Sequence, residues 1–428
     1  MNKLSEVLEK RLGPIALKIG NQRHLLAIRN GITLGMPLII VGSMFLILGN
    51  LPISGYEDWL VANGDLGTWL AKVVDGSFGL MGIVAAFGIA YNYAKGYNVD
   101  PASAGIISLS SFIIVTPKMF DADGGAGISY GFLGSKGLFV AIIVSLVSAD
   151  IFRRFIQKNI TIKMPETVPP EVSRSFSALI PAAVIITFWA LLIKLLELLG
   201  IGNIHDIVML VLGRPLGILG GSLIGTVIGI MLNSLFWFTG IHGGNIVGSV
   251  LNPIYLINTD ANRLALQAGK ELPNIITSPF MDNFVYIGGG GATLALVIIL
   301  VGFAKSKQLK TMGNLSLASG IFNINEPIMF GVPVVMNPTL IIPFALAPMV
   351  NAVVTYFAMS TGLVSKTVGV AVPWTMPPII SGFLATGGDV KASVLQVALI
   401  LIDFAIYFGF VKTLDKQLSA EEQGAVDL

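Results

Sequence analysis

The chain has 428 residues, 54% hydrophobic and 12% charged, where a soluble domain averages about 25% charged; this is the composition of a polytopic membrane protein. A net charge of +2, with the basic residues in loop clusters, gives no reason to expect nucleic acid as a partner. The absence of cysteine excludes disulfides, thiolate metal sites and any covalent intermediate on sulfur, and only 3 histidines argue against a histidine-rich metal centre, so neither metal nor cofactor is expected.

Residues 3–20 place Leu4, Val7, Leu8, Leu12, Ile15 and Ile19 on one helical face and Lys3, Glu9, Lys10, Arg11 and Lys18 mostly on the other. That pattern fits a helix lying in the membrane interface or one packed on protein. The apolar run begins only after Leu25, so no cleaved leader is expected. Spans of about 20 residues follow near 29–49, 77–95, 101–117, 136–153, 175–199, 217–239, 245–259, 284–304, 334–358 and 391–412. Basic residues before the first span, at Arg153, Arg154, Lys158, Lys163 and Arg174, at Lys305, Lys307 and Lys310, and at Lys412 and Lys416 mark cytoplasmic loops. About ten spans then leave both termini inside, provided that 317–333 and 367–387 dip in without crossing. The expected fold is an all-α polytopic membrane protein with about ten transmembrane helices, two re-entrant hairpins and interfacial amphipathic helices. The polar stretch 200–216 divides it into an amino-terminal half, 1–200, and a carboxy-terminal half, 201–418; residues 419–428 lack a core-forming pattern and read as a disordered tail.

Four helix-broken stretches of the second half carry the polar chemistry. Between Lys310 and Lys366 the one charged side chain is Glu326, in IFNINEPIMFGVPVVMNP. A carboxylate at the centre of a spanning helix costs about 2.5 kcal/mol or more, so it marks a site by default; the alternative is a lock between helices. Pro327, Pro333 and Pro338 preclude a continuous helix, and irregular backbone at membrane depth must line a cavity or be buried in protein. His242 stands among Gly240, Gly243 and Gly244, where a neutral imidazole can hold a hydroxyl or merely bond a carbonyl. Asp282 and Asn283 precede four glycines that match no phosphate-binding loop. Trp374 lies between prolines, where it can stack on the apolar face of a sugar ring or serve as a belt residue. A carboxylate, an imidazole, amides and a tryptophan suit an uncharged polyhydroxylated ligand, and no ATP-binding loop is present.

The stretches NINEPIMFG (323–331), GIHGGN (240–245), PFMDNF (279–284) and KMPETVPPEVSRSFSALIP (163–181) resemble those of the lactose/cellobiose family of bacterial phosphotransferase-system sugar permeases, the enzyme IIC components, with cellobiose and diacetylchitobiose permeases the nearest in character. The resemblance covers nearly the whole chain. It implies that a β-linked disaccharide is carried inward while its 6-hydroxyl is phosphorylated by a phosphocysteine on a separate IIB protein, with IIA upstream. The chain would then be the membrane subunit of a phosphoenolpyruvate-dependent phosphotransferase. It further implies a homodimer in the bacterial plasma membrane, formed through the amino-terminal half, with an elevator motion of the sugar-carrying half. Glu326 and His242 would stand beside the reacting hydroxyl and Trp374 beneath the sugar. Asn245, Asp282, Asn283 and Asn323 are further candidates for hydroxyl contacts. The competing reading is an ion-coupled sugar symporter without phosphorylation, using Glu326 or Asp282 as its proton carrier.

Overall fold

The computed structural model describes residue 18 and residues 21–424, apart from 52, 54, 121–124, 166, 333, 335 and 336. The expected interfacial helix over 3–20 therefore falls outside the described residues except for Lys18. The fold is helical; among the described residues the only strands are Met119–Phe120 and Ala126–Gly127, paired antiparallel.

Long apolar helices run over α1 (Arg23–Gly49), α2 (Leu66–Lys95), α4 (Ser135–Gln157), α5 (Pro170–Leu198), α6 (Ile204–Gly221), α12 (Pro338–Ser360) and α14 (Val390–Gly424), each containing a stretch long and apolar enough to cross a membrane. Shorter ones are α3 (Pro101–Val115), α7 (Leu223–Phe238) and α9 (Leu294–Phe303). The remaining helices named here are α8 (Gly243–Gln267), α10 (Lys307–Ile321), α11 (Glu326–Gly331) and α13 (Ile380–Ala385). On α5 the side chains of Leu191, Leu195 and Leu198 are exposed, the arrangement that hydrocarbon surroundings allow and water penalises.

The chain sorts into two compact units. One comprises residues 21–45 and 66–217, and the described part of the other comprises 46–65 and 218–424. In the first, α1 meets α2 at Gly31 and Gly88. A Cβ on Gly31 would stand 2.4 Å from the Ile89 backbone nitrogen, so only the small residue permits this approach. Ser108 Oγ donates to Ala86 O at 2.7 Å, tying α3 to α2, and Trp189 Nε1 donates to Ser148 Oγ at 2.9 Å, tying α5 to α4. These are interhelical polar contacts of the kind that hold helices together where lipid offers no hydrophobic drive.

In the second unit α9 lies against α10 and α14, and α12 against α7 and α14. Leu296, Leu300, Leu309, Ile328, Phe344 and Tyr407 form its apolar centre. A non-helical segment from Val364 to Val372 is stapled to the carboxy-terminal part of α8. Asn262 Nδ2 donates to Asn274 O and Thr367 O, each at 2.8 Å, and Thr277 and Thr367 share a hydroxyl hydrogen bond of 2.7 Å. Helix α8 also buries an Asp260–Arg263 ion pair, 2.6 Å, both side chains 3% exposed.

Three expectations change. The stretch 200–216, read as a polar break, is largely helical and forms the start of α6, with a π-turn at Met209–Gly213, because Asn203, His205 and Asp206 stand at the helix start and only Arg214 interrupts the apolar run that follows. The span expected over 284–304 is helical only from Leu294, because the glycines before it adopt left-handed backbone. The tail expected to be unstructured from Ser419 is helical through Gly424. The cause is a clasp: Glu422 accepts from Ser306 Oγ (2.7 Å), Lys307 N (2.9 Å) and Gln308 N (3.0 Å). Asp415 accepts from Lys305 N (2.9 Å) and Ser306 N (2.8 Å). Two carboxylates of α14 thus satisfy backbone donors at the start of α10 that the helix itself cannot. Residues 425–428 lie outside the described residues.

Candidate functional site: a glycine cradle

The run Gly288–Gly291 organises the second unit. Gly288, Gly289 and Gly291 have φ of 84°, 93° and 84°, a region where a Cβ is strained. A Cβ on Gly289 would also stand 2.7 Å from Asn323 O, and one on Gly291 2.1 Å from the Phe344 ring. Such tight backbone is what three other segments attach to.

The first is the turn between α10 and α11. Asn323, itself left-handed at φ 60°, is 5% exposed. Its Oδ1 accepts from Gly288 N at 2.6 Å, while its Nδ2 donates to Trp374 O (2.6 Å) and Met376 O (3.0 Å). Asn325 Nδ2 donates to Gly290 O at 2.7 Å and to Thr293 Oγ1 at 3.3 Å. Both amides are therefore spent on backbone and hydroxyl partners of the protein. Glu326 follows as the first residue of α11, and its side chain is exposed, with no hydrogen bond to any described residue.

The second segment carries Trp374. Val370 and Val372 are buried, and Trp374 emerges 48% exposed from a turn that Asn323 holds by two carbonyls. Ile379, at φ 76°, precedes α13, and its N–H is held by Gln396 Oε1 at 2.6 Å. The non-helical stretch expected over 367–387 is thus irregular chain, turn and one short helix.

The third segment is the start of α8. His242 is its amino-terminal cap: Asn245 N donates to His242 Nδ1 at 3.2 Å. With Nδ1 accepting, the ring's own proton sits on Nε2. The ring lies against Trp237, centroids 4.3 Å apart, and Trp237 Nε1 would stand 3.3 Å from a Cβ on Gly290. Gly243 is obligatory here, since a Cβ would meet Asn233 O at 2.0 Å. The side chain of Asn245 is exposed on the first turn of α8.

The cradle therefore brings Asn323, Trp374 and, through Trp237 and Asn325, His242 and Glu326 into one neighbourhood. Asp282 and Asn283 sit on the π-turn Met281–Val285 that leads into the glycines. Asp282 is half-buried and lies close enough to Tyr255 and Tyr286 for its charge to be felt by both. Asn283 is 2% exposed and neither its Oδ1 nor its Nδ2 has a hydrogen-bond partner among the described residues. Its backbone carbonyl accepts from Gln396 Nε2 at 2.7 Å. Trp237, Tyr286, Asn233 and Gln396 were not singled out from sequence. Trp237 stands in the same FWFTGIHGG run as His242, where its five-residue spacing was a usable signal; Gln396 carries none, being a lone polar residue in an apolar span.

Fold and site together define a polytopic α-helical membrane transporter whose polar centre is assembled from broken helices of one unit. The chain belongs to the phosphotransferase-system EIIC family, the membrane sugar-transport components of that system: the family profile described as "Phosphotransferase system, EIIC" matches residues 29–348. It is 51% identical to the lichenan permease IIC component of Bacillus subtilis (strain 168), over 99% of this chain and 96% of that one. It is also 51% identical to the cellobiose-specific EIIC component of Geobacillus stearothermophilus, over 99% and 97%. The crystal structure of the transporter ChbC, the IIC component of an N,N'-diacetylchitobiose-specific phosphotransferase system, superposes with a TM-score of 0.92 at 45% identity, covering 98% of this chain and 99% of that one.

Proposed function

We propose that the chain is the IIC permease for a β-linked disaccharide of the cellobiose or diacetylchitobiose type, phosphorylated at its 6-hydroxyl as it is delivered to the cytoplasm. The observation that carries this reading is the cradle, which gathers an exposed indole, an imidazole and an exposed carboxylate around one glycine run. Trp374 offers its exposed face to a sugar ring. His242 donates from Nε2 to the 6-oxygen, and Glu326 accepts that hydroxyl's proton. The oxygen attacks the phosphorus of a phosphocysteine on the IIB partner; the P–S bond breaks and the thiolate stays on IIB. A positioned base within hydrogen-bond reach supplies roughly 10²–10⁴-fold. Asn245, Asp282 and Asn283 are proposed as contacts for other hydroxyls, whereas Asn323 serves by holding Trp374.

On this reading the protein works as a homodimer in the bacterial plasma membrane, with both termini cytoplasmic. The carboxy-terminal half, 201–418, moves as the sugar carrier, in an elevator manner. Relatives named for lichenan, cellobiose and diacetylchitobiose support the substrate class.

The test uses purified protein in two stages. Cellobiose, diacetylchitobiose and lactose are titrated calorimetrically, and sugar-loaded vesicles are then supplied with phosphorylated IIB. Sugar phosphate should form only with the donor present. Glu326→Gln should retain binding within a few-fold while transfer falls by roughly 10²-fold or more. Uptake of unmodified sugar that ignores IIB and collapses with an uncoupler would replace this reading with an ion-coupled symporter.

A further inference from the structure

Behind the cradle, α14 carries Asp403 into the protein interior with 1% exposure, in the middle of a membrane-spanning stretch. Its one hydrogen bond among the described residues comes from Asn351 of α12, Nδ2 to Oδ2 at 2.9 Å. No cation pairs with it among the described residues. Helices α9, α12 and α13 contain no Asp, Glu, Lys, Arg or His, and α10 carries only Lys307 and Lys310, both in its first turn. The π-turn that Asn351 also touches carries Asp282, a second acid and not a cation. On α14 itself the charged residues are Lys391 near one end and Lys412, Asp415, Lys416, Glu421 and Glu422 towards the other. The nearby phenols are Tyr356 on α12 and Tyr407 on α14, and the Tyr407 hydroxyl donates to Gly291 O at 2.7 Å. A carboxylate so placed has nothing to balance its charge.

Two more atoms are anomalous. Asp403 Oδ1 and Asn351 Oδ1 are both buried and both lack a hydrogen-bond donor. They belong to the two side chains that already share one N–H···O bond. A single proton accounts for both, because a carboxylic acid facing a primary amide forms two antiparallel bonds.

We propose that Asp403 carries a proton and closes a cyclic acid–amide pair with Asn351. The amide donates through Nδ2 to Oδ2, and the acid donates through Oδ1–H to Asn351 Oδ1. No charge then remains in the seam, and both orphan acceptors are satisfied. The pair is a neutral latch. It fastens α14 to α12 and, through Asn351 Nδ2 to Val285 O at 3.3 Å, fastens both to the π-turn that leads into the glycine cradle. The permease therefore holds a proton that belongs to its scaffold and is not exchanged with sugar.

The experiment is infrared difference spectroscopy at neutral pH on full-length protein in lipid vesicles, wild type minus Asp403→Asn, with thermal melts alongside. The difference spectrum should show loss of a protonated carboxylic acid C=O stretch. The amide introduced by Asp403→Asn can still pair both ways with Asn351, so this variant should melt with the wild type while Asp403→Ala melts lower. Loss of a carboxylate stretch instead, or a wild-type melting point that tracks sodium or potassium and stops doing so in Asp403→Asn, overturns the proposal in favour of an ionised group or a bound metal. Should Asp403→Asn fail to accumulate, Asn351→Val decides: removal of the partner should move the acid band to the frequency of an unbonded acid, and an unmoved band refutes the pair.

Discussion

Replacing Asn323 separates the cradle's framework from its ligand groups. Asn323→Ala removes three hydrogen bonds, one accepted from Gly288 N and two donated to Trp374 O and Met376 O. Each contributes about 0.5–1.5 kcal/mol net, so about 3 kcal/mol of local order is at stake. Alanine must also adopt φ 60°, which costs a further 1–2 kcal/mol, roughly. Asn323→Gly removes the same bonds without that backbone cost. If Trp374 must be held to stack on sugar, about 3 kcal/mol converts to a loss of affinity of roughly 10²-fold. The assay is calorimetric titration of the disaccharide, with thermal melts to exclude global unfolding. Asn323→Gly should bind about 10²-fold more weakly, and Asn323→Ala should be weaker still and melt lower. Wild-type affinity in Asn323→Gly would refute the argument that this amide positions the Trp374 turn.

Trp374→Ala removes the exposed face itself; sugar affinity should fall by roughly tenfold or more, with the transfer rate at saturation changing less, as read from binding and IIB-dependent phosphorylation. Deleting the carboxylate clasp by Glu422→Ala, or ending the chain after Leu418, should lower the melting temperature of the permease and speed proteolysis near Ser306, because Lys307 and Gln308 then lack their acceptor. Asp389 precedes α14, and burial opposes its ionisation. The N–H groups of Ser365 and Lys391 nevertheless hold its carboxyl below the usual range. Its contribution to stability is thus fully present above the ordinary aspartate value of about 3.9 and is lost as pH falls through its lower folded value. Acid melts of Asp389→Asn should lack that part of the decline.

Composition and hydropathy were sufficient for the helical membrane class, since hydrocarbon leaves a chain almost no other way to satisfy its backbone. The four polar stretches were legible for the same reason: a charge or broken helix inside an apolar span is costly wherever it occurs. What stayed hidden depended on three dimensions. Gly288–Gly291 reads in sequence as the opening of a span, and only the positive φ values show it as the hub on which Asn323 and Asn325 fasten. Glu422 reads as tail because its partners, Lys307 and Gln308, lie more than a hundred residues earlier in the chain. Asp403 stands alone in an apolar run and carries the same signal as Glu326, whereas Gln396 and Asn351 give no local pattern, since each acts across helices.

The amides near Glu326 illustrate why residue type alone misassigns roles. Asn323, Asn325 and Glu326 lie within four residues and are all polar, and sequence offers Asn323 as a further candidate for a sugar hydroxyl beside the carboxylate. A buried amide whose donors and acceptor are met by backbone cannot also bind ligand without breaking those bonds. An exposed carboxylate beside it, unpaired among the described residues, has its full capacity available. The division follows from burial: the asparagines shape the turn, and the turn presents Glu326. His242 is likewise held by backbone, its Nδ1 capping α8. Gly243→Ala is then informative, because it displaces the cap while leaving the imidazole in place along the chain. A Cβ meeting Asn233 O at 2.0 Å must move the start of α8 away from α7. Transfer should fall in Gly243→Ala about as far as in His242→Ala, and equal activity to wild type would show that the ring's orientation is not set by this cap.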